Sequence, residues 1–438
     1  MKYLQYIVPL VAATEAVPLL SPLDWLSGSE SKLLQNPLNY INGLKDASVN
    51  KAQDNELTKA EMVKKFFATN EFDPNTKSYK SRLLETSEGE YVIAQDDDQV
   101  DEQRRQGKFM DITDHYDFYE QLKQQTVEPI VVDYPTNVSH YDTITHKLLP
   151  TLEKANLVEH LSNFSSYHTR YYKSDTGLES SLWLFNQILD VVKSAGREED
   201  IEVFPFDHPW AQKSVIARIH GKNSKGSTDS SEKKDESVVV ISAHLDSTNL
   251  ILPSILAAPG ADDNGSGSVT ILEAFRALIA GGFEPLNTVE FHWYSAEEGG
   301  LLGSQAVLTE YKARKVPVKA QLQQDMTGYV KDPANERFGV ITDFVDARLT
   351  NFVELIIKEY TQLPYIEDVC GYACSDHASG TKVGYPSAFV IEDKFSDINP
   401  FVHTIKDTMD RLSFDHMLQH AKLTLAFAYE LGHYSFAE

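Results

Sequence analysis

The sequence predicts an α/β protein in which a mixed, mostly parallel sheet is covered by helices, forming a three-layer sandwich. Two observations support this prediction. From about residue 110 onward, apolar strand candidates alternate with long amphipathic helices. Several strands are continuous apolar runs, as at 237–241, and such runs are typical of strands that are buried on both faces.

The individual elements follow from hydrophobic periodicity and from turn residues. The segment 177–194 carries leucine, isoleucine and valine near the helical period, which predicts a helix. Strands are predicted at 201–206, 215–220, 238–243, 289–295, 322–326, 337–342 and 385–392. Further helices are predicted at 57–69, 267–280, 350–362 and 415–434. The insert 221–236 contains glycine, serine and charged residues, which predict a surface loop.

The N-terminal part reads as a targeting and processing region. Lys2, a short apolar stretch and an alanine-rich exit predict a signal peptide over residues 1–18, so we expect a secreted protein. The polar segment 19–105 is predicted to be a pro-segment of a zymogen, with its boundary set to within about 20 residues and an exposed processing region ending at Arg104-Arg105. An accessory or disordered N-terminal domain is the alternative. Residues 106–438 then form the catalytic domain.

The charge balance restricts the partners. Forty lysines and arginines stand against 65 aspartates and glutamates, a formal net charge of −25. Such a chain repels nucleic acid phosphates and anionic membrane surfaces. We therefore expect neither nucleic acid nor a membrane as partner.

The cysteines and the glycosylation sequons fit an oxidising compartment. Cys370 and Cys374 are the only two cysteines, and their close spacing predicts one small disulfide loop. Zinc ligation by the two thiolates is disfavoured because no further cysteine completes a structural site. Sequons predict glycosylation at Asn137 and Asn163, whereas the matching Asn264 is expected to be buried.

Imidazole and carboxylate side chains follow successive predicted strands. They are His244 and Asp246, Glu297 and Glu298, Asp325 and, further along the chain, His403, with the acidic loop 259–267 between the first two pairs. Taken singly, each has an ordinary explanation as a hydrogen-bonded pair, a solvated charge or a turn. Together at the strand ends of an open α/β sheet, they are the ligand set of a hydrolytic zinc site.

The same stretches resemble the co-catalytic zinc aminopeptidases, in particular the secreted fungal leucine aminopeptidases and their bacterial relatives. The matching stretches are His-Leu-Asp-Ser at 244–247, Pro-Gly-Ala-Asp-Asp at 259–263, Ser-Ala-Glu-Glu-x-Gly-Leu at 295–301, Gln-Asp-Met-Thr at 324–327, Cys-Gly-Tyr-Ala-Cys-Ser-Asp-His at 370–377 and His-Thr at 403–404. They occur in the order of the family from about residue 150 to the C-terminus. The resemblance implies a phosphorylase/hydrolase-like sandwich of the zinc-peptidase type.

The resemblance also implies how two zinc ions per chain would be bound. Asp263 would bridge them, His244 and Asp325 would complete one site, and Glu298 and His403 would complete the other. Each zinc would then have one imidazole, one terminal carboxylate and a share of the bridge. A coordination position would remain for a shared water, which two such ions can hold as hydroxide.

Two further carboxylates receive roles from strand geometry. Glu297 cannot easily ligate the same metal as Glu298, because neighbouring side chains along a strand point in opposite directions. It is therefore predicted to be the general base. Asp246 lies two residues after His244 and is predicted to orient that imidazole. Asp262 is expected to shape the loop, and the resemblance gives His377 a supporting place.

The predicted activity is release of N-terminal amino acids, preferably leucine or other apolar residues, from peptides with a free N-terminus. The resemblance places four apolar side chains in the substrate pocket and Tyr372 there as a hydrogen-bond donor. The four are Met326, Ile341, Phe389 and Phe395, and core packing is the alternative for those on strands. A glutaminyl cyclase-like acyltransferase, a non-catalytic binding module and a carboxypeptidase or dipeptidase remain as alternatives. A monomer is expected.

Overall fold

The computed structural model describes residues 58–76, 78–106, 109–124, 131–222 and 237–436. The chain divides into two units, Met1–Val63 and Lys64–Glu438. Of the first unit, the described part is the start of helix α1 (Lys59–Thr69), which is capped by reciprocal hydrogen bonds between Thr58 and Glu61. The predicted signal peptide at 1–18 and most of the predicted loop at 221–236 lie outside the described residues.

The beginning of the second unit forms a small antiparallel structure. Its elements are β1 (Phe72–Asp73), β2 (Ser78–Tyr79), β3 (Arg82–Ser87), β4 (Glu90–Ala94), α2 (Asp97–Arg105), β5 (Met110–Asp111) and α3 (Tyr116–Gln124). Three of the strands form a sheet in the order β4-β3-β5, and helix α2 lies between β4 and β5 along the chain. Helix α2 is capped by Asp96, whose carboxylate accepts the Gln99 N–H.

A mixed sheet of eight strands dominates the second unit. Its strands are β6 (Ile201–Phe206), β7 (Ser214–Ile219), β8 (Val238–His244), β9 (Thr288–Tyr294), β10 (Val318–Gln324), β11 (Phe338–Ile341), β12 (Tyr365–Asp368) and β13 (Ser387–Ile391). Their order is β12-β11-β13-β10-β8-β9-β7-β6. The central strands β13, β10, β8 and β9 are parallel to one another, and β11, β7 and β6 introduce the antiparallel pairings. The predicted mixed, mostly parallel sheet is confirmed.

Helices flank this sheet. They are α4 (Lys154–Phe164), α5 (Asp175–Ser194), α6 (Gly267–Ala280), α7 (Leu302–Ala313), α8 (Ala347–Tyr360), α9 (His377–Lys382) and α10 (Phe414–His433). Short helical turns occur at Tyr141–Thr143, Ile144–Leu148, Leu149–Thr151, Ala261–Ser266, Pro333–Asn335 and Met409–Arg411. Helices α4, α5, α6, α8 and α10 form one connected set of contacts, while α7 and α9 contact each other. The α/β sandwich predicted from the sequence is confirmed.

The two faces of the central strands differ in chemistry although both are buried. On β8, Val239 and Ile241 join the main apolar core with the residues of α6 and α10, while the alternating Ser242 is polar and fully buried. On β10, Leu322 joins the same core, and Gln323 points the other way and accepts a hydrogen bond from the Ser242 hydroxyl at 2.6 Å. The expectation of strands that are apolar on both faces therefore holds only in part, because the second face buries hydrogen-bonded polar side chains.

Several predicted elements agree with the structure within a few residues, and others were missed. Helix α7 and strand β12 were not predicted, and the predicted strand at 322–326 starts earlier, at Val318. Cys370 and Cys374 form the predicted disulfide. Within the described residues, none of the helices combines the length and the apolar character needed to cross a membrane.

Candidate metal centre

The carboxyl ends of the parallel strands bring the predicted ligands to one edge of the sheet. His244 is the last residue of β8, and Asp325 follows β10 directly. Glu298 lies in the turn after β9, and Asp263 lies in the helical turn that precedes α6. His403 comes from the long connection between β13 and α10. Ligands commonly bind at this edge of an open α/β sheet.

These side chains form two groups that share Asp263. The Nε2 atom of His244 lies 3.1 Å from Asp263 Oδ1 and 3.2 Å from Asp325 Oδ1. The Nε2 atom of His403 lies 2.8 Å from Asp263 Oδ2 and 3.1 Å from Glu298 Oε1. In each group the donor atoms lie within 4.8 Å of one another, so each could hold a metal ion. The structure therefore brings all five predicted ligands together, with one oxygen of Asp263 facing each group.

The chemistry of the donor atoms fits divalent cations. Burial opposes the charged form of His244 more than any single neighbour favours it, but the carboxylates of Asp325, Asp246 and Asp263 together outweigh burial and raise the pKa of His244 well above its usual value. The pKa of His403 is raised in the same way by Glu298 and Asp263. Carboxylates that converge on imidazoles in a buried site need positive charge, which Zn²⁺ supplies when both imidazoles are neutral.

Asp246 connects the first group to the turn that carries the two glutamates. Its Oδ1 accepts the main-chain N–H of Glu297 at 3.0 Å, and its Oδ2 accepts that of Glu298 at 3.1 Å. Its Oδ1 also lies 3.4 Å from Nδ1 of His244. Asp246 thus lies close to the imidazole that the sequence predicts it to orient, and it holds the Glu297-Glu298 turn, which the sequence did not indicate.

The backbone around the site is held in uncommon conformations. Ala296, Met326 and His403 have positive φ angles of 58°, 56° and 57° although none is glycine. Such conformations cost free energy and persist where the surrounding contacts impose them, often at functional sites. Ala296 precedes Glu297, Met326 follows Asp325, and His403 is itself one of the candidate ligands.

A largely apolar pocket of about 190 Å³ opens beside the two groups. Four of the five predicted substrate-binding residues line it, namely Met326, Tyr372, Phe389 and Phe395. Ile341 does not line the pocket, which corrects that prediction. It is fully buried on β11 and packs in the cluster that supports the lining side chains. His377 also supports the pocket, because its ring stacks on Phe389 at 4.8 Å.

Glu297 lines the same pocket and takes part in neither group of ligands. Burial raises the pKa of its carboxyl group well above the usual value, and the nearby Glu298 carboxylate adds to this effect although His244 opposes it. A carboxylate in such an environment holds a proton more readily than an exposed one. This property suits a group that must accept a proton and pass it on.

Two lining residues come from the N-terminal segment and were not predicted. Arg104 on α2 and Phe109 both line the pocket, with exposed fractions of 6% and 8%. Nε of Arg104 donates to the main-chain oxygen of Glu298 at 2.6 Å. Of the predicted processing region, Arg104 is therefore buried against the candidate centre, whereas Asp96, Asp97, Asp98 and Arg105 are exposed as expected, and cleavage in this region stays a prediction. No local sequence pattern signals such a contact, since its partners lie far away along the chain.

Residues 214–428 of the chain match the protein family described as "Peptidase family M28". This range contains the whole candidate centre. This match, together with relatives whose similarity extends over most of the chain, shows that the chain belongs to peptidase family M28. The predicted class of enzyme, a zinc-dependent aminopeptidase, is confirmed at the level of the family.

Among the relatives, leucine aminopeptidase 1 of Neurospora crassa is 48% identical over 372 residues, which cover 83% of this chain and 88% of the relative. Leucine aminopeptidase 1 of Penicillium rubens is 51% identical over 337 residues, covering 74% and 83% of the two chains. A crystal structure of the LapA aminopeptidase of Legionella pneumophila superposes with a TM-score of 0.68 at 31% identity, covering 79% of this chain and 91% of that chain.

The double hydrogen bond of Asp246 leads to a testable prediction. Replacing Asp246→Asn leaves one acceptor and turns an N–H donor toward another N–H donor, so the Glu297-Glu298 turn should shift. We expect zinc affinity or kcat to fall about 10- to 100-fold. Asp346→Asn is the matched control, because Asp346 also accepts two main-chain N–H groups, those of Arg348 and Leu349 at the start of α8, away from the pocket. Equal losses in both variants would contradict a specific role of Asp246.

Proposed function

We propose that this protein releases N-terminal amino acids, preferably leucine or other apolar residues, from peptides with a free N-terminus, using two zinc ions per chain. The observation that carries the proposal is the pair of ligand groups sharing Asp263 beside a small apolar pocket. His244 and Asp325 would hold one ion, Glu298 and His403 the other, and Asp263 would bridge them. The names of the fungal relatives agree with this activity.

Zinc bound there would supply Lewis acidity that makes water nucleophilic near neutral pH and polarises the peptide carbonyl. Glu297 takes a proton from the attacking water while the water oxygen bonds to the carbonyl carbon. As the carbon–nitrogen bond breaks, Glu297 delivers that proton to the departing amine. The Tyr372 hydroxyl, which lines the same pocket, donates a hydrogen bond to the carbonyl oxygen as negative charge develops there.

The pocket supports the proposed preference for apolar N-terminal residues. Its walls include Met326, Phe389, Ile391, Phe395, Ile398 and Val402. An apolar side chain gains free energy when these walls remove it from water, whereas a charged side chain loses its hydration without a partner. Because one metal ion is enough to activate water, the free α-amine of the substrate would bind to the other ion, which would restrict cleavage to the first peptide bond.

The first test compares leucine p-nitroanilide with its N-acetylated counterpart on the trimmed enzyme. We expect only the free-amine substrate to be cleaved, because acetylation converts the α-amine into an amide whose nitrogen can no longer bind a metal ion. Chelation should abolish cleavage, and zinc at two equivalents per chain should restore it. Cleavage of both substrates at similar rates would contradict exopeptidase action, and absence of cleavage with metal bound would favour an acyltransferase.

The role of Glu297 is tested by Glu297→Gln. The amide has nearly the same shape but cannot accept the proton, so kcat should fall by about 10²- to 10⁴-fold while both zinc ions remain bound. Metal analysis and steady-state kinetics on the same sample measure both quantities. Glu310→Gln, a change at an exposed position on α7, serves as the control. Substantial residual turnover in Glu297→Gln would exclude the proposed base.

We further propose that the protein is secreted as a zymogen whose pro-segment covers the site. Arg104 and Phe109 occupy the wall of the pocket. Main-chain pairing reinforces this contact, since Asp111 N–H donates to the oxygen of Gly300 at 3.0 Å. A side chain at Gly300 would collide with the Phe109 ring, so the segment packs closely on the turn after β9. The predicted signal peptide, the disulfide and the exposed Asn137 and Asn163 support secretion and glycosylation.

The contacts support an end of the pro-segment after Gln124, within about 20 residues of the boundary at 105 that the sequence predicts. Strand β5 pairs with β3, and the Tyr119 hydroxyl on α3 donates to Gln305 on α7 at 2.9 Å. Cleavage at Arg104-Arg105 would leave β5, α3 and Phe109 connected to the catalytic domain. A cut after α3 would instead detach the whole covering structure.

The covering role predicts that weakening it activates the precursor. Arg104→Ala removes a charge-assisted hydrogen bond to Glu298 O, of a kind worth ~1.5–3 kcal/mol, so activity of the full-length protein should rise about 10- to 100-fold. Arg105→Ala is the matched control, because Arg105 is 40% exposed and pairs with Glu102. The measurement is hydrolysis of leucine p-nitroanilide before and after trimming. A precursor that is as active as the trimmed enzyme would overturn the proposal.

A further inference from the structure

Arg170 is a fully buried arginine whose guanidinium binds main-chain carbonyls from three segments. Nε donates to Leu245 O at 2.9 Å, and Nη2 donates to Gly260 O at 2.8 Å. Nη1 donates to Pro259 O and, at 3.4 Å, to Phe164 O. The guanidinium therefore connects the residue after His244 with the loop that leads to Asp263.

The loop fits tightly around this guanidinium. Gly260 has a φ angle of +52°, and a Cβ atom there would lie 2.5 Å from Asp263 O and 2.9 Å from Arg170 Nη2. The guanidinium also lies over the Phe164 ring, 4.3 Å from its centroid. Arg170 is held in turn from its own main chain, where Gln212 Nε2 donates to its oxygen at 2.8 Å. Neither the arginine nor the loop can shift without the other.

Asp407 holds the same loop by accepting main-chain N–H groups, whereas Arg170 donates to main-chain carbonyls. Its Oδ1 accepts the N–H of Asp262, and its Oδ2 accepts the N–H of Asp263, both at 3.0 Å. The side-chain amide of Asn399 donates to Asp407 Oδ1 at 3.3 Å and thereby fixes this carboxylate. The loop is thus bound through its carbonyls at Pro259 and Gly260 and through its N–H groups at Asp262 and Asp263.

We propose that Arg170 and Asp407 are positioning residues that act as a clamp on the loop and set the place of the Asp263 carboxylate between the two metal sites. This inference rests on the two-zinc centre proposed above. The two oxygens of Asp263 each face a different histidine at 2.8–3.1 Å, so a displacement of the loop moves the bridge relative to both sites. The arginine also ties this loop to the end of β8, which carries His244. The clamp therefore fixes ligands of both ions relative to one another.

The experiment measures zinc binding in the trimmed enzyme and in its Arg170→Met, Arg170→Lys and Asp407→Asn variants. Each metal-free protein is titrated with zinc against a chromogenic chelator, and the absorption spectrum of the cobalt-loaded protein reports ligand geometry. Two equivalents bound by the unaltered enzyme test the metal centre by itself. In Arg170→Met and Asp407→Asn we expect affinity for at least one zinc to fall about 10- to 100-fold, with an altered cobalt spectrum.

Two comparisons separate positioning from general stability. Arg276→Met is the matched control, because Arg276 also binds a main-chain carbonyl, that of Thr151, together with Glu273 on its own helix. It should lower the unfolding temperature without changing zinc affinity. Arg170→Lys keeps the charge but cannot span the three segments, so its zinc affinity should stay low. Should Arg170→Met fail to fold, Asp407→Asn decides the matter.

The proposal is overturned if zinc affinity and the cobalt spectrum stay unchanged in Arg170→Met and Asp407→Asn. In that case both variants would lower the unfolding temperature of the metal-free and the zinc-loaded protein equally. It is also overturned if Arg170→Lys restores full zinc affinity, because charge alone would then account for the role of Arg170. Reduced zinc affinity in both variants, with an unchanged Arg276→Met control, supports it.

Discussion

The rest of the structure depends on one arrangement, a buried aspartate whose two carboxylate oxygens face two different imidazoles. Asp263 Oδ1 lies 3.1 Å from His244 and Oδ2 lies 2.8 Å from His403. A bridging carboxylate gives two cations a short common ligand, but only if both partners stand at the correct distance before the metal arrives. The parallel strands supply this precision, because their carboxyl ends lie at one edge of a rigid sheet.

The buried polar side chains on the second face of the sheet also help to hold the candidate ligands in place. The Ser375 hydroxyl donates to Asp325 Oδ2 at 2.6 Å, and Gln323 Nε2 donates to Ser375 at 3.1 Å. Gln323 accepts in turn from Ser242 on β8. Burying so many polar groups is tolerable only when they are hydrogen-bonded, and a satisfied network fixes its members more firmly than apolar packing does. The centre is therefore supported from below by the network and from the side by Asp246.

The sequence predicts those features that depend on local pattern and misses those that depend on distant contacts. Strands β8 and β9 and the residues that follow them were predictable, since apolar runs followed by ligand-type residues are local signals. Strand β12 was missed because its four residues, Tyr365–Asp368, form an edge strand whose existence depends on pairing with β11. The contact of Arg104 with Glu298 spans 194 residues, and no periodicity encodes it. The resemblance placed Ile341 in the pocket, and the sequence could not distinguish this from core packing because apolar residues of the core and of the pocket look alike in sequence.

The chemistry of the Arg104 contact bears on whether the proposed precursor could bind metal ions. A cationic side chain near several carboxylates could compete with metal ions for them, and the precursor would then be metal-free. Arg104 instead donates to the main-chain oxygen of Glu298, while the carboxylate of that residue remains turned toward His403. The positive charge thus lies in the pocket without using the oxygens of the ligand group. The proposed covering by the N-terminal segment and the proposed binding of two metal ions are therefore compatible, and removal of the segment would need to expose the pocket but not to rearrange the ligands.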